Sequence, residues 1–300
     1  MAHRAGARVV VAIVLVEGGG CVGQDGGLAS AGVIEQAVIG GDSTQPGEYP
    51  ATGALIRGLT YRCTATLIAP DVAITAAHCL VDEGWGDFGF TLDADLTDRV
   101  DDIIPVLVHH QHPSFRDAGD FTSIGQRNDI GVIVLEQPIE GVAVELIDPS
   151  DELAELRAET ELRLCGYGRE DWSAQGSAGV KRDALVFVDE LSDWEIQSTD
   201  EDPQPCRGDS GGPLFVETPE RRWLAGLVSR AVGDTRMCAS GAIYTRVAPY
   251  MEWIDQASAD RDTGCAVGAG GGAVWPAVLG WLLAVRRRRP IKGAGESVRR

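Results

Sequence analysis

Lysine is nearly absent from this chain of 300 residues. Lys181 and Lys292 are its two lysines, and the 26 Lys and Arg residues together fall well below the 45 Asp and Glu residues. Between residues 38 and 264 the imbalance is larger, with 17 basic and 41 acidic residues. A surface this negative repels phosphate backbones. The composition therefore argues against a nucleic-acid partner and favours a soluble, self-repelling protein.

Long hydrophobic runs are also lacking. Near the N-terminus, two arginines precede the apolar run 9–16, and three glycines follow it at 18–20. This order is typical of a secretory signal peptide, here assigned to residues 1–20, and the run is too short to span a membrane as a helix. The adjacent Cys21 also resembles a bacterial lipoprotein cleavage site, so lipidation remains an alternative to ordinary signal cleavage. Residues 21–37 lack periodicity and are predicted to form a linker or short propeptide.

Residues 259–300 have the organisation of an anchor tail. Gly264–Cys265 is followed by a glycine-rich spacer, the apolar span 273–285 and four arginines at 286–289. An apolar span that ends in a basic block is typical of a membrane stop whose positive end stays in the cytoplasm. The whole order resembles the C-terminal sorting tail of myxobacterial surface proteins. The resemblance implies cleavage near the cysteine, and a permanent single-span anchor is the alternative.

Short β-rich runs separated by turn-rich stretches dominate the region between the two ends. The predicted strands include 53–56, 63–68, 72–75, 103–108, 130–135, 184–188, 223–228 and 242–245. One amphipathic helix is predicted over 249–257. Many strands with one late helix indicate an antiparallel all-β architecture, and no internal repeat is present.

The sequence Gly208-Asp-Ser-Gly-Gly-Pro213 is the strongest chemical signal. A serine hydroxyl is a poor nucleophile at neutral pH, so it needs a base that takes its proton and donors that hold the oxyanion formed on the attacked carbonyl. Flanking glycines allow a tight turn that presents backbone N–H groups. By itself a Gly-Ser-Gly run is a common turn, so the interpretation depends on what accompanies it.

Two further segments supply the remaining groups. His78 ends a β-rich run among small residues, in Thr75-Ala-Ala-His-Cys79. Asp129 precedes the apolar run 130–135 and so lies at the edge of the core. A carboxylate in that place would hold the imidazole tautomer whose other nitrogen can accept the proton of Ser210.

These three segments, in the chain order His, Asp, Ser, resemble the chymotrypsin/trypsin-like serine peptidases over residues 38–258. The resemblance implies two six-stranded antiparallel barrels with a C-terminal helix, and a triad of His78, Asp129 and Ser210 in the cleft between them. It also implies an oxyanion hole made by the N–H groups of Gly208 and Ser210. The expected function is that of a secreted, cell-surface serine endopeptidase. The alternative is a catalytically inactive surface-binding protein on the same scaffold, which would not need to keep the triad complete.

The start of this region carries a second implication of the resemblance. Val38-Ile-Gly-Gly is similar to the first residues of the mature enzymes, in which the freed α-amino group pairs with the Asp before the nucleophile, here Asp209. Ala37 stands where relatives activated by trypsin carry Arg or Lys. Activation by a protease that prefers small residues is therefore expected.

Seven cysteines are present, and two of them lie in the terminal processing segments. The resemblance pairs Cys63 with Cys79 and Cys206 with Cys238. A bridge between the first two would close a loop around the approach to the catalytic histidine and constrain the unfolded chain by roughly 3 kcal/mol. Cys165 is left alone and is interpreted as a small buried hydrophobe, with a reactive thiol as the lesser alternative.

The resemblance also assigns the substrate-binding residues. The segment of Ser229 pairs with the substrate backbone, and Gln204, Ala231 and Ala242 line the pocket for the residue before the cut bond. A neutral floor at Gln204 argues against a strict preference for Arg or Lys. Asp202 could reach the pocket if its loop is displaced, so this alternative stays open.

No cofactor or metal ion is predicted. Histidines 109, 110 and 112 invite a zinc interpretation, but His112-Pro113 resembles a family segment that precedes the catalytic Asp, and no matching cysteine or carboxylate spacing accompanies it. The acidic stretch 82–102 could hold structural calcium, yet it lacks the spacing of a calcium loop. The expected partners are protein or peptide substrates, an activating protease, and the membrane through the tail or a lipid.

Overall fold

The computed structural model of the chain describes residues 38, 41–58, 60–81, 87–97, 100, 102–117, 123–169, 178–199, 203–233, 238 and 241–261. The predicted signal peptide, the linker, and the tail beyond residue 261 lie outside these residues and stay predictions. Neither helix in the described part of the chain is long and apolar enough to cross a membrane.

Strands are the commonest regular element of the described residues, in the following order. They are β1 (Asp42–Ser43), β2 (Thr52–Arg57), β3 (Thr60–Ala69), β4 (Val72–Thr75), β5 (Phe88–Thr91), β6 (Ile104–Gln111), β7 (Gly131–Leu135), β8 (Glu145–Leu146), β9 (Glu161–Gly166), β10 (Arg182–Phe187), β11 (Glu190–Leu191), β12 (Glu195–Ser198), β13 (Pro213–Glu217), β14 (Arg222–Ala231) and β15 (Ala242–Arg246).

The first unit is a closed, six-stranded antiparallel barrel with the strand order β2-β3-β4-β7-β6-β5. β4 and β7 are buried along their whole length. Fully buried strands have continuous apolar sequences rather than alternating ones, so both could be predicted from the sequence. Leu55, Leu67, Phe90 and Ile133 are among the fully buried side chains that fill the barrel.

The second unit is a nine-stranded sheet with the order β1-β10-β9-β13-β14-β15-β12-β11, and β8 pairs in parallel with β14. The all-β prediction is confirmed, but this unit has more than the six predicted strands because the two-residue strands β1, β8 and β11 add to the six longer ones. A cluster of buried side chains spans both units, with Ile74 and Val132 of the barrel and Phe215 and Leu227 of the sheet.

Two short helices accompany the strands. α1 (Pro149–Glu155) was not predicted, and α2 (Met251–Ala259) confirms the late helix expected over 249–257. Seven residues are too few for a clear helical period. The local signal lay in Asp148-Pro149, because the Asp148 side chain accepts the N–H groups of two first-turn residues and proline suits the first helical position.

Candidate active site

Neighbouring strands bring His78 and Asp129 together. β4 and β7 are antiparallel partners, with Thr75 opposite Gly131. The chain leaves β4 into a 3₁₀ turn, Ala77–Leu80, which carries His78, and Asp129 stands two residues before the start of β7. Because the end of one antiparallel strand meets the beginning of its partner, the two side chains lie side by side.

The imidazole and the carboxylate are joined at close range. Nδ1 of His78 lies 2.8 Å from Oδ2 of Asp129, and the backbone N–H of His78 donates to Oδ1 at 2.9 Å. The His78 side chain is 25% exposed and that of Asp129 is fully buried. One ring nitrogen is therefore held from the interior, and the exposed part of the ring can face a substrate.

Asp129 is held as an anion by three neighbours. Burial alone would raise the pKa of this carboxyl, but the charge and hydrogen bond of His78, the charge of Arg127 and the hydroxyl of Ser229 lower it to about 2. Arg127 Nη1 lies 3.3 Å from Oδ2, and Ser229 Oγ donates to the same oxygen at 2.6 Å. The sequence assigned Ser229 to the substrate, and the structure adds this contact with Asp129.

The turn before β13 places Ser210 next to the histidine turn, with its carbonyl oxygen 3.7 Å from Sγ of Cys79. The carbonyl of Ser210 accepts the N–H of Thr64 in β3 at 2.9 Å, so the serine of the nine-stranded sheet is fixed against the barrel. Its hydroxyl makes no hydrogen bond to His78 within the described structure. Apo active sites often hold this pair apart until substrate binds.

The backbone amides of the serine turn differ in how they are used. Those of Asp209, Gly211 and Gly212 donate to backbone carbonyls, whereas those of Gly208 and Ser210 have no acceptor among the described residues. The last two are the amides that the sequence assigned to an oxyanion hole. Their hydrogen atoms are available to an oxygen that enters the cleft.

Gly208 is tightly enclosed. Its φ of +107° lies in the region that favours glycine, and a Cβ there would come within 2.7 Å of the Tyr61 ring. The Tyr61 hydroxyl donates to the Gly208 carbonyl. Burial, followed by the nearby charge of Asp209, raises the pKa of Tyr61 well above its ordinary value, so the phenol stays a donor. The peptide after Gly208 is thereby anchored from the barrel side.

Asp209 points away from the cleft into the interior and is fully buried. Its carboxylate accepts the N–H groups of Gly168 at 2.7 Å and Cys206 at 2.8 Å. Burial raises the pKa of this carboxyl to about 6, although the two backbone hydrogen bonds and the charge of Arg182 act in the opposite direction. In the uncleaved chain, this anion is only partly compensated.

We expect this carboxyl to give the uncleaved chain a distinct pH dependence of stability. Its folded pKa of about 6 lies above the unfolded value of about 3.9, so the folded state binds the proton more tightly. The resulting stabilisation is complete below about pH 4 and is lost as the pH rises through about 6, a change on the order of 3 kcal/mol.

The measurement is urea unfolding at pH 4.5 and 7.5 of two uncleaved chains that carry Ser210→Ala to prevent self-digestion, one with Asp209 and one with Asp209→Asn. The Asn chain should lack this part of the pH dependence. Equal changes in the free energy of unfolding of both chains would contradict the prediction.

The residues predicted to form the specificity pocket lie along adjoining strands. Ala242 of β15 is paired on one side with Ala231 of β14 and on the other with Ser198 of β12. Gln204 is 4% exposed, and its side-chain amide donates at 2.7 Å to the carbonyl of Thr199, the residue that follows β12. These three predicted residues are therefore close together, while Asp202 lies outside the described residues.

Both disulfides implied by the resemblance are present, Cys63–Cys79 with a Cα–Cα distance of 6.1 Å and Cys206–Cys238 with one of 4.6 Å. The first holds the histidine turn against β3. The thiol of Cys165 is free and fully buried, and burial raises its pKa, which fits a packing role rather than a reactive one.

The three histidines of the segment 109–112 have separate surroundings. His109 packs edge-on against Phe88, His110 Nε2 lies 3.1 Å from the carbonyl oxygen of Asp260, and His112 packs against two aromatic rings of the C-terminal region. They do not converge on one point. The acidic stretch 82–102 falls partly outside the described residues.

Sequence reasoning missed several contributors to the site. Arg127 stands two residues before Asp129 and could have been noted as a nearby cation. Tyr61 gave no signal, because its contact with Gly208 joins residues 147 positions apart. Gly168 gave no signal either, because its N–H group donates to Asp209, 41 positions away.

A buried Asp–His pair beside a serine on a glycine-rich turn, between a six-stranded barrel and a second antiparallel sheet, defines a serine hydrolase site. The family model described as Trypsin matches residues 38–254. The chain belongs to the trypsin family and is a serine endopeptidase that acts on protein or peptide substrates.

Three individual relatives share about a quarter of their aligned residues with this chain. A vitellin-degrading protease of Bombyx mori is 26% identical over 235 residues, which cover 73% of this chain and 84% of the relative. Chymotrypsin-C of Mus musculus is 26% identical over 253 residues, with 74% and 89% covered. A hepatocyte growth factor activator serine protease of Canis lupus familiaris is 28% identical over 247 residues, and the chain covers 36% of its length.

Proposed function

We propose that Ser210 is the nucleophile of this endopeptidase, His78 its general base and Asp129 the group that orients the base. The observation that carries the proposal is the 2.8 Å contact between His78 Nδ1 and the fully buried Asp129 carboxylate. This contact fixes the tautomer whose Nε2 can accept a proton.

The reaction then proceeds by acyl transfer. Ser210 Oγ attacks the carbonyl carbon of the scissile bond as His78 takes the hydroxyl proton, and the N–H groups of Gly208 and Ser210 hold the oxyanion. His78 returns the proton to the leaving amine. A water molecule, deprotonated by the same imidazole, hydrolyses the acyl-enzyme and restores Ser210.

We further propose that cleavage before Val38 activates the enzyme. Val38 is fully buried in the core of the nine-stranded sheet and has a φ of +46°, which is unfavourable for a β-branched residue. Cleavage of the preceding peptide bond removes this constraint and creates an α-amino group. That amine would pair with the partly compensated carboxylate of Asp209. Because Ala37 precedes the cut, the activating protease should be one that prefers small residues.

We also propose that the protein is exported and retained at the cell surface. Two disulfides suit an oxidising compartment outside the cytoplasm. The signal-like residues 1–20 and the tail 259–300 support export followed by anchoring. Fractionation of cells that make the full chain, beside a chain ending at Gly264, tests this. The full chain should be found with the envelope and the shortened one in the medium.

Specificity should favour uncharged residues before the cut bond, with a broad profile. Gln204 supplies a neutral floor, and the paired Ala231 and Ala242 supply apolar walls. An Arg or Lys side chain would lose its water in such a pocket without gaining a carboxylate. Discrimination among uncharged side chains by size should stay within ~1–3 kcal/mol per methylene-scale difference.

The variant Gln204→Asp should raise the kcat/KM for Arg and Lys relative to uncharged residues by roughly 10- to 100-fold, the value of a charge-assisted hydrogen bond. The shift should be incomplete because the surrounding loops also position the substrate. Gln204→Asn is the matched control and should leave the preference neutral. A wild-type enzyme that cleaves almost solely after Arg or Lys would show that another acid, such as Asp202, lines the pocket.

A further inference from the structure

Two hydroxyl groups of β3 meet at one backbone carbonyl of the serine turn. The Tyr61 hydroxyl donates to the Gly208 carbonyl, and the Thr64 hydroxyl donates to the same oxygen at 3.0 Å. A carbonyl oxygen has two lone pairs and can accept both. Thr64 Oγ1 itself accepts the N–H of Tyr167 at 3.3 Å, which leaves its own hydrogen for the carbonyl. The acceptor capacity of the Gly208 carbonyl is therefore filled from the barrel.

The peptide on the other side of Gly208 is held as well. The carbonyl of Arg207 accepts the N–H of Arg169 at 3.0 Å. The Arg207–Gly208 peptide is trans, so its carbonyl and its N–H point in opposite directions. The bond with Arg169 thereby directs the Gly208 N–H away from Arg169. This N–H is one of the two assigned to the oxyanion hole.

Gly208 needs such support because glycine is the residue that rotates most freely. Its φ of +107° lies where a side chain is unfavourable, and a Cβ would come within 2.7 Å of the Tyr61 ring. Stiffness therefore cannot come from a larger residue at position 208. Hydrogen bonds to the peptides before and after Gly208 supply it instead, since they fix both φ and ψ of that residue.

Thr64 holds a second point of the same turn. Its backbone N–H donates to the Ser210 carbonyl at 2.9 Å, while its hydroxyl holds the Gly208 carbonyl. The side chain of Thr64 is fully buried. One residue of the barrel thus contacts both residues whose amides were assigned to the oxyanion hole.

We propose that the hydroxyls of Thr64 and Tyr61 are positioning groups of the reaction, which hold Gly208 so that its N–H is oriented toward the oxyanion before substrate arrives. Donors that are already oriented stabilise the transition state without reorganisation at the moment of reaction. Neither hydroxyl touches the substrate, so the effect should fall on kcat rather than on KM. This inference rests on the proposed function, because the oxyanion forms on the carbonyl that Ser210 attacks.

Removal of the hydroxyls should act cooperatively. Thr64→Val and Tyr61→Phe each leave one hydroxyl on the Gly208 carbonyl, and each should lower kcat by roughly two- to fourfold. The double variant leaves neither and should lower kcat by roughly 10²-fold, which approaches the loss of one oxyanion donor. This loss exceeds the product of the single losses because both hydroxyls serve one acceptor. KM should change by less than about twofold in all three variants.

Two control variants separate positioning from stability. Thr64→Ser keeps the hydroxyl and loses only a methyl group, so it should retain a kcat near that of the wild type. Tyr167→Phe removes a hydroxyl that donates to the Asp93 carbonyl at 2.8 Å, on a ring whose centroid lies 6.0 Å from that of Tyr61. It should lower the unfolding temperature about as much as Tyr61→Phe does and leave kcat unchanged. If the double variant does not fold, the single variants and Thr64→Ser still provide the test.

Inhibitor binding gives a second measurement on the same activated enzymes. A peptide aldehyde forms a hemiacetal with Ser210 and places an oxygen where the oxyanion forms, whereas a reduced-amide peptide has no carbonyl at that position. The dissociation constant of the aldehyde should rise by about the factor by which kcat/KM falls, and that of the reduced amide should stay constant. A folded double variant with the wild-type kcat, or an equal loss of affinity for both inhibitors, would overturn this inference and leave the proposed triad intact. A wild-type enzyme without peptidase activity would overturn both.

Discussion

Replacement of Ser210 by Ala should lower kcat by ~10⁴-fold or more and leave the fold unchanged. The Ser210 hydroxyl makes no hydrogen bond within the described structure, so its loss should change the free energy of unfolding by less than about 0.5 kcal/mol. Steady-state hydrolysis of a peptide substrate, together with thermal unfolding of the same samples, measures both effects.

Variants of His78 and Asp129 should differ from Ser210→Ala in their effects on kcat and on the free energy of unfolding. Loss of His78 or Asp129 should cost kcat on a comparable scale, and the double variant Ser210→Ala, His78→Ala should be no slower than either single variant because the groups work as a unit. Asp129→Ala should also destabilise the fold by several kcal/mol, because it removes the buried carboxylate from contact with Arg127 and Ser229. A Ser210→Ala enzyme that retains more than a trace of activity would show that the nucleophile is another residue.

Cleavage before Val38 should raise kcat/KM by roughly 10²- to 10³-fold, the value of an oriented oxyanion donor. The proposed physical reason is that the new α-amino group compensates Asp209, whose neighbours in the chain, Gly208 and Ser210, carry the two amides assigned to the oxyanion hole. A specific processing site placed directly before Val38 allows the same preparation to be assayed before and after the cut.

Two controls test the pairing itself. A processing site placed one residue earlier leaves Ala37 on the new terminus and should keep activity near that of the precursor, because the amine is displaced from Asp209. Asp209→Asn should abolish the gain after a correct cut. Full activity in the enzyme that retains Ala37 would contradict the proposed pairing.

Some parts of the fold were predictable because their signal is local. The predicted strand 72–75 coincides with β4, and the late helix was placed to within two residues at each end, since a buried strand and an amphipathic helix both leave continuous patterns in the sequence. Among the longer strands, β5, β9, β12 and β13 were missed. Glu195–Ser198 has four residues of mixed polarity, and Pro213–Glu217 begins with proline, so neither resembles an apolar or alternating strand.

The residues of the candidate site were likewise predictable only where their signal is local. His78, Asp129 and Ser210 could be proposed as the triad because each lies in a recognisable short segment. The contacts that surround them could not, because Tyr61 with Gly208, and Arg230 with Glu195, join residues 147 and 35 positions apart. Such pairs depend on how the two sheets pack, and a single sequence carries no record of that packing.

The central claim, that Ser210 is activated by the His78–Asp129 pair, is tested most directly by covalent labelling. An active-site phosphonate should add once per chain of the activated enzyme, and peptide mass mapping should find the adduct on Ser210. His78→Ala should react slower by orders of magnitude, because the hydroxyl then lacks its base. An adduct on another residue, or equal labelling rates for the enzyme with and without His78, would contradict the account.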